Sequence, residues 1–98
     1  MSHNAGTIYV RLGAAVRFQQ LADWCTPGTV ERAAFDGAAR FLPRSPRRTL
    51  ADEAGKRIAF LSDPGNAPEW DREWWDTRAA GLLAAWETVQ ILANDWKV

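Results

Sequence analysis

Residues 69–96 read EWDREWWDTRAAGLLAAWETVQILANDW, and their apolar side chains recur at the spacing of one helical face. The stripe consists of Trp70, Trp74, Trp75, Leu82, Ala85, Trp86, Val89, Leu92, Ala93 and Trp96. Just upstream, Asn66 and Glu69 have the spacing of a helix start, with Pro68 in the first turn. The sequence therefore predicts one long C-terminal helix over residues 67–95.

This helix is apolar on more than one face. Residues 79–86 contain no polar side chain, and Leu83 and Ile91 fall outside the main stripe. A helix that is apolar all round is normally buried. We therefore expect the shorter elements to wrap it, or a second chain to cover Leu83 and Ile91.

Two shorter amphipathic helices precede it, separated by Thr26-Pro27-Gly28. Residues 14–25 place one set of apolar side chains on a common face, namely Ala14, Phe18, Leu21, Ala22 and Cys25. A second helix starts near Thr29 and carries Val30, Ala34, Phe35, Ala38, Phe41 and Leu42 on one stripe. We expect Pro43 to end this helix, because proline has no backbone N–H to donate.

Two other segments are compatible with strands. Residues 7–12 alternate between apolar and polar side chains and stop at Gly13. Thr49 and Asp52 resemble a helix cap ahead of apolar residues at helical spacing, although residues 57–61 also fit a short strand. The fold class we predict is mainly α, a small single-domain helical bundle around the long C-terminal helix. A minor two-stranded β element from residues 7–12 and 57–61 is an option, which would make the class α+β.

Length, charge, cysteine content and hydropathy limit the kind of protein that this chain can be. The chain has 98 residues, 12 Lys and Arg against 12 Asp and Glu, one Cys and one His. This length suits one domain over residues 1–98, and one cysteine excludes an internal disulfide framework. No apolar run approaches the ~18 residues that span a bilayer, and residues 1–6 resemble a flexible tail rather than a secretory signal. We therefore expect a cytoplasmic protein without membrane contact.

The start of the C-terminal helix is the best candidate for contact with a partner. Trp70, Trp74 and Trp75 are interleaved there with Asp71 and Glu73. Aromatic anchors with a charged rim are typical of protein-binding hot spots. Packing of the three tryptophans inside the molecule is the equally weighted alternative.

Arg78 lies one turn further along, on the apolar stripe. Stacking on the tryptophan rings while pairing with Asp71 is the favoured interpretation. Contact with a carboxylate or phosphate of a partner is the alternative.

Residues 43–49 form the most basic part of the chain and are predicted to be an exposed loop. Arg44, Arg47 and Arg48 are candidates for contact with phosphate or with an acidic partner. Residues 20–33 have a faint helix-turn-helix character, with a turn shorter than in the usual pattern. Two helices joined by a tight turn more often form an ordinary αα-hairpin.

No catalytic group, metal site or cofactor motif stands out. His3 lies in the predicted tail, Cys25 on an apolar helix face, and the glycines form no phosphate-binding loop. The acidic pairs of the C-terminal helix are common at exposed helix starts, so they do not indicate bound Mg²⁺. We expect no enzyme activity and no cofactor.

The leading hypothesis is a non-catalytic adaptor or inhibitor that occupies a surface of a larger macromolecular complex. Its small size suggests a phage or other mobile-element protein that blocks a host defence system. The first alternative is a small DNA- or RNA-binding protein that uses residues 29–48. The second is a structural assembly in which copies of the chain, at minimum a homodimer, cover each other's apolar residues.

Overall fold

The computed structural model describes residues 5–98 of the chain, with side chains described from Ile8 onward. Its helices are α1 (Ala5–Trp24), α2 (Val30–Arg44), α3 (Leu50–Ser62) and α4 (Arg72–Asp95). Two short 3-10 helices, Pro64–Asn66 and Glu69–Asp71, connect α3 to α4. The predicted mainly helical fold is confirmed.

Threonine caps begin the two central helices. The Thr29 hydroxyl accepts a hydrogen bond from the Arg32 backbone N–H at 3.3 Å, at the start of α2. The Thr49 hydroxyl accepts one from the Asp52 N–H at 3.2 Å, at the start of α3. Each cap satisfies a backbone donor that the first helical turn leaves without a partner. The cap predicted at Thr49 is therefore confirmed.

Helices α1 and α2 form an antiparallel hairpin. The Arg11 guanidinium, early in α1, donates to the Leu42 carbonyl oxygen at 2.8 Å, late in α2. At the other end of the hairpin, Arg32 forms a 3.6 Å ion pair with Asp23. The two helices are thus adjacent along almost the whole length of α2.

Helices α3 and α4 form a second antiparallel hairpin. The Phe60 ring, late in α3, meets the edge of Trp75, early in α4, at 5.9 Å between centroids. Near the other end, the Gln90 side-chain amide donates to the Ala51 carbonyl oxygen at 3.4 Å. The two hairpins pack together mainly through α2 and α4.

Small residues allow α2 and α4 to approach each other closely. A Cβ atom on Gly37 of α2 would lie 3.2 Å from the Trp86 ring, and one on Gly81 would lie 3.2 Å from a methyl carbon of Val30. Trp86 is only 2% exposed. The buried core around it comprises Ala14, Phe18, Ala34, Ala38, Ala39, Phe41, Leu42, Leu50, Ala54, Ala85, Val89, Ala93 and Val98.

The predicted β element is wrong. Residues 7–12 lie in α1 and residues 57–61 lie in α3, and residues 5–98 contain no strand. Once the helix over residues 14–25 has formed, extending it backwards adds one backbone hydrogen bond per residue without a new nucleation cost. Gly13 does not stop this extension, because glycine lowers helix stability by only about 1 kcal/mol.

The predicted end of the second helix is also wrong. Helix α2 continues through Pro43 to Arg44, so the exposed loop covers residues 45–49 rather than 43–49. Proline removes one helical hydrogen bond at this position. The Arg11 guanidinium donates to the carbonyl oxygens of Leu42 and of the cap residue Ser45, which the end of the helix leaves without helical partners.

The predicted start of the C-terminal helix requires a correction as well. Helix α4 begins at Arg72 rather than at residue 67, and residues 64–71 form the two 3-10 turns. Part of the predicted flexible tail, residues 1–4, lies outside the described residues, whereas residues 5–6 belong to α1. On α4, Leu83 is partly buried and Ile91 is exposed.

Alanine substitution of Gly37 tests the close approach of α2 and α4, and the same substitution at Gly55 of α3 is the control. We expect Gly55→Ala to raise the free energy of unfolding by up to about 1 kcal/mol, because alanine favours the helix. Its Cβ would meet only the amide end of the flexible Gln90 side chain, at 3.1 Å. We expect Gly37→Ala to give no such gain or to destabilise, because the Trp86 ring is buried and cannot move aside.

Urea denaturation followed by circular dichroism measures both changes. Equal stabilisation by the two substitutions would contradict the packing of Trp86 against Gly37.

Candidate protein-binding site

The connection between α3 and α4 is held in shape by its own hydrogen bonds. The Asp63 carboxylate accepts from the Gly65 backbone N–H at 2.9 Å. The Asn66 side-chain amide donates to the Phe60 carbonyl oxygen at 2.9 Å, which ties the turn back onto α3. We call residues 63–76, which comprise this connection and the first turn of α4, the α3–α4 corner.

Trp70 projects from this corner into solvent. It lies in the second 3-10 turn and is 86% exposed. Tryptophan is highly buried on average in folded proteins, because its large apolar surface is costly to leave in water. An indole held out in this way contributes little to the core and is free to enter a pocket on another molecule.

The other two predicted contact tryptophans lie deeper. Trp74 and Trp75 are half-buried. Trp75 packs edge-on against Phe60 of α3 with an interplanar angle of 68°. Of the three tryptophans, therefore, Trp70 alone has the exposure expected of a partner contact, while Trp75 joins α3 to α4.

Acidic residues flank Trp70 in the sequence. Glu69 and Glu73 are exposed and Asp71 is half-buried. Arg72, the single basic residue between positions 63 and 76, lies 4.0 Å from the Asp76 carboxylate. The corner thus presents an indole within an acidic rim, an arrangement complementary to an apolar pocket edged by lysine or arginine.

Arg78 does not form the contact predicted for it. Its side chain is exposed, and its guanidinium donates to the Gly28 carbonyl oxygen at 3.4 Å. Gly28 belongs to the α1–α2 turn and has a φ of 86°, a conformation that favours glycine. Arg78 therefore links the first turns of α4 to the α1–α2 turn.

The basic loop that precedes α3 lies at the opposite end of this helix from Trp70. The exposed Arg48 forms an ion pair with Glu53 and lies over the Phe41 ring, 5.4 Å from its centroid. Arg44 and Arg47 are exposed at the end of α2 and in the following loop. The basic loop and the acidic corner are thus separated by the length of α3, roughly 20 Å for 13 residues.

Sequence reasoning missed a second exposed tryptophan. Trp24, at the end of α1, is 88% exposed. It borders a shallow groove of about 320 Å³ between α1 and α4, also lined by Leu21, Leu92 and Trp96. A helical wheel of α1 contained the signal, because Trp24 falls about 120° from the centre of the face formed by Ala14, Phe18 and Ala22.

Cys25 and Arg11 have structural contacts. The Cys25 thiol donates to the Leu21 carbonyl oxygen at 3.3 Å. Burial lowers the pKa of the Arg11 guanidinium, which bonds to the end of α2. Among residues 5–98, no cluster of three or more His, Cys, Asp and Glu side chains forms a metal site. Within the same residues, no helix is both long and apolar enough to span a membrane.

Comparisons of this chain with protein-family models, curated proteins and solved structures found no match.

Replacing the tryptophans one at a time tests the assignment of exposed and packed rings. We expect Trp70→Ala to change the free energy of unfolding by less than about 0.5 kcal/mol, because the ring is exposed. We expect Trp75→Ala to lower it by about 1–3 kcal/mol, because the contact with Phe60 is lost. Thermal and urea denaturation measure both values. Unfolding of the Trp70→Ala variant would show that this indole belongs to the core.

Proposed function

We propose that the protein is a non-catalytic adaptor or inhibitor that occupies a surface of a larger complex, with Trp70 as its anchor. The observation that carries this proposal is the exposure of Trp70 in the second 3-10 turn of the corner, which follows a first turn braced by hydrogen bonds. Tryptophan is among the residues most enriched in binding hot spots, where a few buried anchors supply most of the affinity.

The braced backbone of the corner favours binding. A side chain on a flexible loop loses conformational entropy when it is immobilised by a partner. Here the Asp71 N–H donates to the Pro68 carbonyl oxygen at 3.3 Å across the turn that carries Trp70, and the hydrogen bonds of Asp63 and Asn66 restrict the turn before it, so less freedom is lost on binding. The corner is therefore a suitable base for an anchoring indole.

The charges of the corner indicate the chemistry of the partner. Trp70 requires an apolar pocket, and the carboxylates of Glu69 and Glu73 favour lysine or arginine at the pocket rim. We propose that Asp71 and the half-buried Trp74 form the inner edge of the same contact. Arg78 lies about two turns from Trp70 and would extend the contact toward the α1–α2 turn.

An adaptor or inhibitor of this kind acts by occupying a surface, so it needs no catalytic group of its own. We propose that it acts in the cytoplasm. The more specific hypothesis, a phage or mobile-element protein that blocks a host defence system, follows from its small size, and identification of the partner tests it.

Nucleic-acid binding through residues 29–48 has less support. Helices α1 and α2 lie antiparallel, whereas helix-turn-helix motifs cross at about 90–120°. Arg48 is already paired with Glu53, which leaves Arg40, Arg44 and Arg47 as the exposed basic side chains of α2 and the following loop that have no acidic partner among the described residues. This alternative predicts a steep loss of affinity with salt, about one unit of slope for each phosphate contact.

A pull-down from lysate of the source organism, with and without nuclease, tests the proposal. We expect wild-type protein to retain a stoichiometric protein partner after nuclease treatment. Trp70→Ala should weaken that binding by at least about 2 kcal/mol, roughly 30-fold, because a hot-spot anchor is lost. Titration of the identified partner against each variant measures the affinity.

Trp24→Ala is the matched control, because Trp24 is equally exposed but lies outside the α3–α4 corner. It should bind like wild type, as should a variant with Arg44 and Arg47 replaced by Ala. A partner that binds the Trp70→Ala variant normally would refute the anchor. Recovery of nucleic acid alone, lost on nuclease treatment, would favour the basic loop instead.

A further inference from the structure

A groove lies between α3 and α4, beside the buried ring of Trp86. Its volume is about 290 Å³, and we call it the α3–α4 groove. Its walls are formed by Lys56, Arg57, Phe60, Leu61, Leu82 and Trp86. Pockets for small molecules begin at roughly 300 Å³, so a groove of this size suits one large side chain.

The α3–α4 groove combines an apolar surface with two cations. Four of its six lining side chains are apolar, and one of these, Phe60, is 53% exposed. The other two, Lys56 and Arg57, are exposed, and no lining residue is acidic. The chemistry of the groove therefore favours an apolar side chain that is carried by an acidic segment.

The positive charge of the groove is only partly neutralised within the chain. Arg57 is paired with Glu53 at 3.0 Å, but Arg48 is paired with the same carboxylate. Lys56 forms no ion pair among residues 8–98. Two guanidinium groups thus share one negative charge, and Lys56 adds a third positive charge. An acidic occupant would therefore find positive charge that is still available.

The α3–α4 corner has the complementary chemistry. Trp70 is 86% exposed there, so it does not fill the groove of its own chain. Residues 63–76 contain five acidic residues against one arginine. The indole of Trp70 matches the apolar part of the groove, and the acidic residues around it in the sequence match Lys56 and Arg57.

We propose that the α3–α4 groove of one copy of the protein binds the Trp70 corner of a second copy. The incoming indole would lie beside Phe60, which already meets the edge of Trp75 at 5.9 Å between centroids. It would thus extend an existing aromatic cluster, and aromatic pairs add to the free energy gained by burial alone. The carboxylates of the corner would face the cations of the groove.

Charge favours the corner over other exposed apolar parts of the chain as the occupant. Trp24 is equally exposed, but the carboxylate beside it in the sequence, Asp23, is already paired with Arg32 at 3.6 Å. The exposed apolar residues early in α1 have no acidic neighbour in the sequence, because residues 1–22 contain none. Every copy of the chain carries both the groove and its complement, and zero net charge avoids long-range repulsion between copies.

The contact has a consequence for the proposed function, because it rests on the same Trp70 anchor. One indole cannot occupy two pockets at once. A second copy and a partner complex therefore compete for Trp70. Self-association withholds the anchor, and a partner that binds the corner more tightly separates the copies.

Sedimentation velocity over a wide range of protein concentration tests the contact. We expect wild type to self-associate as the concentration rises. Trp70→Ala should weaken self-association at least about 30-fold, because the anchoring indole is lost. Lys56→Glu should weaken it roughly tenfold, because a carboxylate then faces the acidic corner. Arg44→Glu is the matched control, since it makes the same change of charge at an exposed position outside the groove and should leave self-association unchanged.

A mixing experiment shows whether Trp70 and the groove meet each other. Trp70→Ala keeps the groove but lacks the anchor, whereas Lys56→Glu keeps the anchor but has an altered groove. An equal mixture should therefore form a 1:1 heterodimer at a concentration at which each variant alone is monomeric. When Lys56→Glu is exchanged for the double variant Trp70→Ala/Lys56→Glu, neither chain has an anchor, and this mixture should stay monomeric.

Circular dichroism checks that the variants are folded, as expected for substitutions at exposed positions. Three results would each overturn the contact. These are a wild-type chain that stays monomeric up to about 1 mM, self-association that is unchanged by Trp70→Ala or Lys56→Glu, and a mixture of these two variants that fails to associate.

Failure of this contact and failure of the proposed function are distinguishable. Lys56 lies outside the α3–α4 corner, so Lys56→Glu should lose self-association and still retain the protein partner in the pull-down. A chain that self-associates through Trp70 but retains no partner would refute the proposed function alone. A chain that stays monomeric but retains a partner through Trp70 would refute the groove contact alone.

Discussion

Burial of Trp86 joins three of the four helices and is the contact on which the rest of the structure depends. The indole belongs to α4, packs against Gly37 of α2, and is covered by the Arg57 guanidinium of α3 at 4.5 Å from the ring centroid. A side chain on Gly37 would push α2 and α4 apart. The two hairpins would then lose the close approach that buries the alanine-rich faces between them.

Three arginines stack on aromatic rings. Arg57 covers Trp86, Arg48 lies over Phe41 and Arg17 lies over Trp96. Arg48 and Arg57 also share the Glu53 carboxylate. A guanidinium can stack and pair at the same time because it is planar and carries several donors. These arginines therefore support the packing of the rings they cover while they remain partly exposed.

The exposed apolar groups are distributed over separate parts of the molecule. Trp70 stands at the corner between α3 and α4, Trp24 at the end of α1, and Ile8, Tyr9 and Leu12 early in α1.

The sequence was sufficient for features that depend on neighbouring residues. The apolar face of α2, the cap at Thr49 and the burial of Trp86 all follow from helical periodicity and capping chemistry. Residues 7–12 were ambiguous. Their alternating pattern suits a short strand, but the same residues can also extend the helix that follows them. The structure assigns them to α1.

The different exposure of Trp70 and Trp75 could not be read from the local pattern. Trp70 and Trp75 lie on the same predicted helical stripe, yet one is in solvent and the other packs on Phe60. The 3-10 turn before Arg72 displaces Trp70 from the axis of α4, and the position of α3 determines which ring is covered. Periodicity predicts which residues share a face, but exposure depends on which distant segments pack against that face.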